Sequence, residues 1–348
     1  MFDNADVERK VLAVMRILGS SQEPLGARVI AGRLKERGIE LGERAVRYHL
    51  KLMDERGLTR LIGRRDGRVL TERGIDEIGS ARVKDKVGLV ISKIELLSFR
   101  TNFDYRKRAG WVPVNISLFP RESFGEALKK MKPAFDAGLC VSSLVAAADE
   151  GERLGELVVP RGKKALGTVC SIIINGTLLK AGVPMDSRFG GILQIRNRVP
   201  MRFVELIHYS GCSLDPSEIF IRAGMTSVCE VAEKGEGRVL GNFREIPAMC
   251  RPLAQDIIEG LGQAGFRGLL LMGETSANVC EVTVEPNKVG LVLLGGLNPV
   301  AAAREAGIEA ENRAMSTIVD YRSLVRFEEL AGLPGLPVST GAGYSSGI

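Results

Sequence analysis

Glu43-Arg44-Ala45-Val46-Arg47-Tyr48-His49-Leu50, running on to about Arg56, is the stretch on which the fold turns. Wound as a helix at about 100° per residue, it gathers Val46, Leu50 and Met53 into one buried stripe. Arg44, Arg47, Tyr48 and Lys51 collect on the opposite side. Such a face can donate to phosphates, and an arginine on it can pair with a guanine edge in the major groove. Any solvated helix face looks the same in isolation, so the flanking sequence decides. His49 lies beside the buried stripe and reads as structural.

Upstream, Val7, Val11, Val14, Met15 and Leu18 make a helical stripe over residues 6–20, and Ile30, Ala31 and Leu34 mark a second helix from about Ala27 to Arg37. Gly38-Ile39-Glu40-Leu41-Gly42 is the turn before the basic helix. Downstream, Gly57 ends that helix, and residues 58–62 and 68–70 read as two short strands. Gly63-Arg64-Arg65-Asp66-Gly67 joins them, and Asp-Gly is a hairpin turn signal. A helix from Thr71 to about Ser80 follows. Helix, helix, basic helix and basic hairpin in that order predict a winged helix-turn-helix over residues 1–80 that binds double-stranded DNA. Its candidate contacts are Arg44, Arg47, Tyr48 and Lys51 on the helix and Arg64, Arg65 and Arg68 on the wing. The competing reading is a winged helix that binds protein.

Charge favours the DNA reading. Residues 1–84 carry 18 Lys and Arg against 13 Asp and Glu, so +5 of the chain's +6 sits in its first quarter. A basic surplus confined to one segment points to a polyanionic partner for that segment. The chain's 348 residues predict two or three domains. The acidic start with no apolar run behind it predicts no signal peptide, and no stretch reaches the ~18 apolar residues of a membrane span, so the expected location is the cytoplasm. The six cysteines form no Cys-x-x-Cys pair and there are two histidines, so neither a metal site nor a cofactor is expected.

Beyond a linker at 81–87, residues 88–330 read as one α+β domain containing an internal repeat at an offset of about 125 residues. Val159 matches Val284, Lys163 matches Lys288, Leu166 matches Leu291, Ala181-Gly182 matches Ala306-Gly307, and Arg188 matches Arg313. Near the end the offset slips by one, pairing Arg202-Phe203 with Arg326-Phe327. In the second half, strands are expected at 237–242, 268–272, 279–284 and 289–294. Helices are expected at 247–262 and from Asn298 as N-cap. Helices are expected to cover one face of the sheets. Gly295-Gly296 aligns with Cys170-Ser171, so both halves are expected to start a helix there, and helix N-termini favour anions. Gly190-Gly191 reads either as a close approach of ligand or as a β-bulge, and Arg188 either as a carboxylate fork or as one side of a surface ion pair. The Gly-, Pro- and Ser-rich stretch 331–348 reads as a flexible tail.

Gly167-Thr168-Val169-Cys170-Ser171-Ile172, Asn175-Gly176-Thr177-Leu178-Leu179-Lys180-Ala181-Gly182-Val183-Pro184 and Arg188-Phe189-Gly190-Gly191, behind a basic winged helix, resemble the NrpR-type nitrogen-regulation repressors of archaea. The resemblance covers about residues 5–330. It implies a repressor of nitrogen-assimilation promoters whose second domain is an effector domain for 2-oxoglutarate, which weakens DNA binding. Chemistry then nominates Thr168, Cys170, Ser171, Arg188, Gly190 and Gly191 as the effector-binding residues. A homodimer on an operator is the expected assembly. The alternative is an enzyme or thiol redox sensor with an appended winged helix, using Cys170 at a helix N-terminus as a low-pKa nucleophile. With two histidines and no metal cluster, the enzyme reading has little acid–base machinery, so a non-enzyme is expected.

Overall fold

In a computed structural model of the chain, the described residues are 4–19, 21, 23–36, 39–63, 67–79 and 88–332, and they fall into two compact units, Met1–Lys86 and Val87–Ile348. The expected linker at 81–87 and most of the expected tail lie outside the described residues.

In the first unit, helices α1 (Asn4–Gly19), α2 (Ala27–Glu36) and α3 (Glu43–Glu55) enclose a core. Val46, Leu50 and Met53 are fully buried in it with Ile17, Ile30 and Leu34. Burying a side chain of this size stabilises by roughly 1.5–3 kcal/mol, so this stripe fixes which face of α3 is left outside. Gly57, at φ 70°, ends α3 in the left-handed conformation that glycine adopts most easily. Strands β1 (Thr59–Gly63) and β2 (Gly67–Leu70) pair antiparallel as the wing, and α4 (Glu72–Gly79) follows. Leu25 adds a third, one-residue rung through a bridge to Arg68. Gly67 permits it: its φ is 97°, and a Cβ there would lie 2.4 Å from the Leu25 carbonyl carbon.

The second unit begins with α5 (Leu89–Arg100) and then repeats one pattern twice. The first copy is β3 (Trp111–Pro120), α6 (Phe124–Asp136), β4 (Leu144–Ala148), a small hairpin β5 (Arg153–Leu154) and β6 (Leu157–Val158), β7 (Lys163–Val169), α7 (Ile172–Lys180) and β8 (Asp186–Arg196). After β9 (Val199–His208), α8 (Pro216–Arg222) and α9 (Val228–Lys234) comes the second copy. It runs β10 (Gly237–Pro247), α10 (Arg251–Gln263), β11 (Leu269–Met272), β12 (Lys288–Leu294), α11 (Asn298–Glu305) and β13 (Glu311–Asp320). Short β14 (Val325–Arg326) and α12 (Phe327–Leu330) follow. The α+β duplication expected from the sequence is therefore present, with the hairpin β5–β6 confined to the first copy.

Each half lends its last strand to the other. One sheet has the order β13-β3-β7-β4-β14, the other β11-β12-β10-β8-β9, and every pairing is antiparallel. Thus β13 of the second copy pairs with β3 of the first, and β8 of the first with β10 of the second. The two cores are interlaced in the same way. One contains α6 and α11, the other α7 and α10, so each takes one helix from each half. Adjacent residues such as Val145 and Ala146, or Leu291 and Val292, enter different cores. Strand side chains alternate, so both faces of each sheet are covered, where the sequence pointed to one.

Three local expectations are corrected. Residues 279–284 form no strand; Val279 bridges Val282 in a turn whose Cys280 and Glu281 have φ of 49° and 62°. β10 continues to Pro247 because Phe243 to Ile246 are buried and alternate between faces, so the helix begins only at Arg251. The slipped pairing of Arg202-Phe203 with Arg326-Phe327 is not structural. β9 flanks β8, whereas β14 flanks β4, the strand equivalent to β11.

Candidate functional site

On α3, Arg44, Arg47, Tyr48 and Lys51 are exposed on the face opposite the core, and Tyr48 is 63% exposed. Arg47 Nη2 lies 2.5 Å from Glu43 Oε1, and Lys51 Nζ 3.9 Å from Glu55. Both are solvent-exposed i,i+4 pairs of the kind that contribute about 0.3–0.5 kcal/mol, so they do not immobilise either cation. Arg68 does not join this face. Its Nε is 2.7 Å from Asp54 Oδ2, and Thr59 Oγ1 donates to Asp54 Oδ1 at 2.6 Å, so Arg68 ties the wing to α3. Arg64 and Arg65 lie outside the described residues. His49 is buried on the core side of α3.

In the second unit, Cys170, Ser171 and Gly190 of the six residues nominated for the effector gather around Tyr209 and Asn242, whereas Arg188 is held in an ion network. Ser171 is buried as the N-cap residue of α7. Thr168 is buried on β7 next to Asn115, whose Nδ2 donates to its carbonyl and hydroxyl oxygens at 3.5 Å. Cys170 is buried with Ile172, Tyr209 and Cys212, and burial pushes its thiol up to about 11. A nucleophilic thiolate needs the opposite shift. Arg188 belongs to a five-membered ion network: its Nη1 is 2.5 Å from Glu285, 3.2 Å from Asp186 and 3.5 Å from Glu245. Lys288 completes the network at 2.7 Å from Glu285, 3.3 Å from Asp186 and 3.4 Å from Glu245. The hydrogen bond that Arg188 donates to Glu285 holds its guanidinium above the usual range, and the bonds that Lys288 and Arg188 donate hold the Glu285 carboxyl below its own. Of the two readings of Arg188, the ion pair is the one the geometry shows. Gly190 and Gly191 serve packing. A Cβ on Gly190 would lie 2.9 Å from Pro216 and 3.1 Å from Tyr209 Oη, and one on Gly191 2.5 Å from the Glu205 carbonyl.

What converges on Ser171 is a residue the sequence reading passed over. Arg244, on β10, is 1% exposed. Its Nη2 donates to Ser171 Oγ at 3.2 Å, and its Nη1 to Ser187 Oγ at 2.9 Å and to Asn175 Oδ1. Asn242, two residues earlier on the same face, donates to Ser171 Oγ at 3.4 Å and accepts from the buried Tyr209 hydroxyl. The three acceptors of Arg244 are neutral, its Nε has no hydrogen-bond partner, and among the described residues no carboxylate lies within ion-pair distance. Its neighbour Glu245 is also 1% exposed, but the pleat sends it to the opposite face, into the Arg188–Lys288 network. The charge of Asp215 is felt across space, yet that carboxylate caps α8 by accepting from Ser217 N at 2.8 Å. Desolvation therefore lowers the pKa of the Arg244 guanidinium.

A signal for Arg244 was in the chain. Val239, Asn242 and Pro247 repeat Val112, Asn115 and Pro120 at a constant offset, which extends the duplication through β3 and β10 and places Arg244 opposite Ser117. Ending the strand at Asn242 hid it. Asn298, expected to cap α11, is instead inside the helix, and its side chain bonds both backbone groups of Leu240 at 2.8 and 3.1 Å. Among the described residues there is no cluster of potential metal ligands and no helix long and apolar enough to cross a membrane.

Compared with known proteins, residues 87–326 match the family profile described as NrpR regulatory domains NRD1 and 2, and residues 12–78 match the ribonuclease R winged-helix domain. The chain is 42% identical to the global nitrogen regulator NrpRI of Methanosarcina mazei over 91% of its own length and 98% of that protein's. It is 33% identical to the global nitrogen regulator NrpR of Methanococcus maripaludis over 93% of its length, and spans 55% of that longer relative. The crystal structure of a nitrogen repressor-like protein from Methanococcus jannaschii superposes on 68% of the chain, covering 98% of that protein, with a TM-score of 0.59 and 26% identity.

Proposed function

The chain belongs to the NrpR family of nitrogen regulators, and on that premise we propose that it represses nitrogen-assimilation promoters by gripping operator DNA with its winged helix, in the cytoplasm, and lets go when its second unit binds 2-oxoglutarate. The carrying observation is the exposed row Arg44, Arg47, Tyr48 and Lys51 on the face of α3 that the core leaves outside. In a winged helix this third helix enters the major groove, where an arginine reads guanine and lysine anchors phosphate. One such helix covers a small site, so a homodimer reading an inverted repeat supplies the needed specificity. The ligand acts by binding the DNA-free conformation more tightly, since equal affinity for both conformations shifts nothing.

Mobility shifts of the full chain on a nitrogen-assimilation promoter test both halves of the proposal. Arg47→Ala is expected to weaken specific binding by about 1–3 kcal/mol, and millimolar 2-oxoglutarate to weaken it in the wild type. By reciprocity, operator DNA weakens 2-oxoglutarate binding by the same factor. An Arg47→Ala chain that binds as the wild type does removes the assigned DNA face, and a promoter complex indifferent to 2-oxoglutarate removes the effector.

A further inference from the structure

We propose that Arg244 and the amino-terminal end of α7 form a carboxylate-binding site, and that each chain holds one such anion rather than a symmetric pair. The proposal rests on the reading above that the second unit senses a small organic anion, and it names the side chain that would hold it.

The argument starts from charge. A guanidinium has five N–H donors and strongly resists loss of its proton, so burying it without a counter-anion is costly. Buried arginines are ordinarily paired. Arg244 is 1% exposed, its Nε has no partner, and the three oxygens it reaches, on Ser171, Ser187 and Asn175, are all neutral. The acid that sequence puts beside it, Glu245, is turned away and already shared by Arg188 and Lys288. The site thus has a positive charge in its middle that, among the described residues, no carboxylate touches, Asp215 acting on it only across space.

The second observation is independent of the first. Ser171 is the N-cap of α7, the nine-residue helix Ile172–Lys180, and a helix start carries a partial positive charge even where, as here, Ile173 N and Ile174 N already donate to the Cys170 and Ser171 carbonyls at 3.1 Å. Arg244 Nη2 is aimed at that start, 3.2 Å from Ser171 Oγ. Guanidinium and helix terminus therefore favour the same sign of ligand at the same point. A carboxylate matches the guanidinium fork, and a charge-assisted bond is roughly twice as strong as the neutral ones it replaces. The exchange also supplies a trigger. Arg244 stands on β10, Ser187 on β8, and Asn175 and Ser171 on or at α7, so a carboxylate that takes over the guanidinium releases bonds joining the two halves.

The stoichiometry follows from the broken symmetry. At the equivalent helix start in the second copy, before α11, Gly296 stands where Ser171 stands and Ser117 where Arg244 stands. A Cβ on Gly296 would lie 2.4 Å from the Val169 carbonyl oxygen, so backbone from β7 is packed against that terminus. Among the described residues no lysine or arginine is bonded at that terminus, so only the first copy holds the anion.

Calorimetry on the full chain, with 2-oxoglutarate, succinate and citrate as probes, decides the matter. The wild type is expected to bind at least one of the three with one site per chain. Arg244→Met should weaken that binding by at least about tenfold, with Arg244→Lys and Ser171→Ala losing less and Ser117→Ala unchanged. Circular dichroism reports whether each variant folds; should Arg244→Met fail to, wild-type affinity in both Arg244→Lys and Ser171→Ala overturns the proposal. So do two sites per chain, undiminished binding by a folded Arg244→Met, or no binding of any probe at millimolar concentration. If 2-oxoglutarate binds and folded Arg244→Met leaves it untouched, this site falls while the effector reading stands. If succinate or citrate binds through Arg244 and 2-oxoglutarate does not, the effector reading falls while the site stands.

Discussion

The two helix starts of the second unit are built on the same frame and differ in what they carry. In both, a buried asparagine on the copy's first strand reaches the start of the other copy's helix: Asn242 on β10 donates to Ser171 before α7, and a Cβ on Gly296, before α11, would lie 2.6 Å from Asn115 Nδ2 on β3. Asn115 accepts from Met315 N at 3.0 Å, and Asn242 accepts from the Tyr209 hydroxyl. The frame is therefore structural, inherited by both copies. The first start then adds Ser171, Cys170 and Arg244, where the second has Gly296, Gly295 and Ser117. A duplicated fold has kept one terminus closed by backbone packing and placed a charge at the other. Position in the repeat gives the helix terminus; the side chains decide whether it serves as a site.

The largest expected effect breaks the closed terminus. Gly296→Ala places a Cβ 2.4 Å from the Val169 carbonyl oxygen and 2.6 Å from Asn115 Nδ2. Neither β7 nor the asparagine can retreat freely, so the unfolding free energy should fall by about 3 kcal/mol, read from urea denaturation. A loss under about 1 kcal/mol means the packing there gives way easily, and the two termini are then less different than they look.

The shared frame predicts matched costs. Asn242→Leu strands the buried Tyr209 hydroxyl, and Asn115→Leu strands the Met315 amide, each at about 1–3 kcal/mol. Denaturation midpoints that move for one and not the other remove the equivalence of the two asparagines.

Cys170 offers a difference that pH can expose. Its folded pKa is raised from 9.0 to about 11 by burial. The stability this contributes is present in full below pH 9 and is lost as pH rises from 9 toward 11, because the unfolded chain ionises first. At pH 10 the loss is about 1 kcal/mol. Cys170→Ala should flatten that part of the melting temperature against pH, and native Cys170 should resist iodoacetamide below pH 9. A thiol that labels readily at pH 7 revives the nucleophile that its burial argues against.

How much of this was legible in the sequence depends on the range of the interaction. The three helices and two strands of the winged helix were legible in order, since the helix stripes, Gly57 and Gly67 are signals within a few residues of what they control. The order of elements in each copy was readable for the same reason. The exchange of β8 and β13 between sheets was not, because nothing local in a strand says which sheet it joins. Arg68 reads as a DNA contact and Arg188 as either a carboxylate fork or one side of an ion pair, and their partners Asp54 and Glu285 reach them from 14 and 97 residues away. Arg244 was missed for the converse reason. Its sequence neighbour is an acid, which suggests a surface pair, and only the pleat of a fully buried strand separates the two.

The smallest expected effect discriminates most sharply between the two copies. Ser171 and Ser117 are both buried serines, Ser171 at a helix start and Ser117 at the β3 position equivalent to Arg244, so composition alone predicts similar behaviour. Ser171 Oγ receives hydrogen bonds from Arg244 and Asn242, whereas Ser117 Oγ, among the described residues, has none. Removing the first hydroxyl withdraws an acceptor from a buried charge, and Ser171→Ala should cost about 1–2 kcal/mol. Removing the second takes away a polar atom whose burial is uncompensated, so Ser117→Ala should leave stability within about 0.5 kcal/mol of the wild type or raise it. Paired urea titrations resolve a difference of this size when both variants keep the wild-type slope. Equal losses in the two variants would mean that Ser117 has a partner in solution, and the second helix start would then have to be treated as a polar site in its own right.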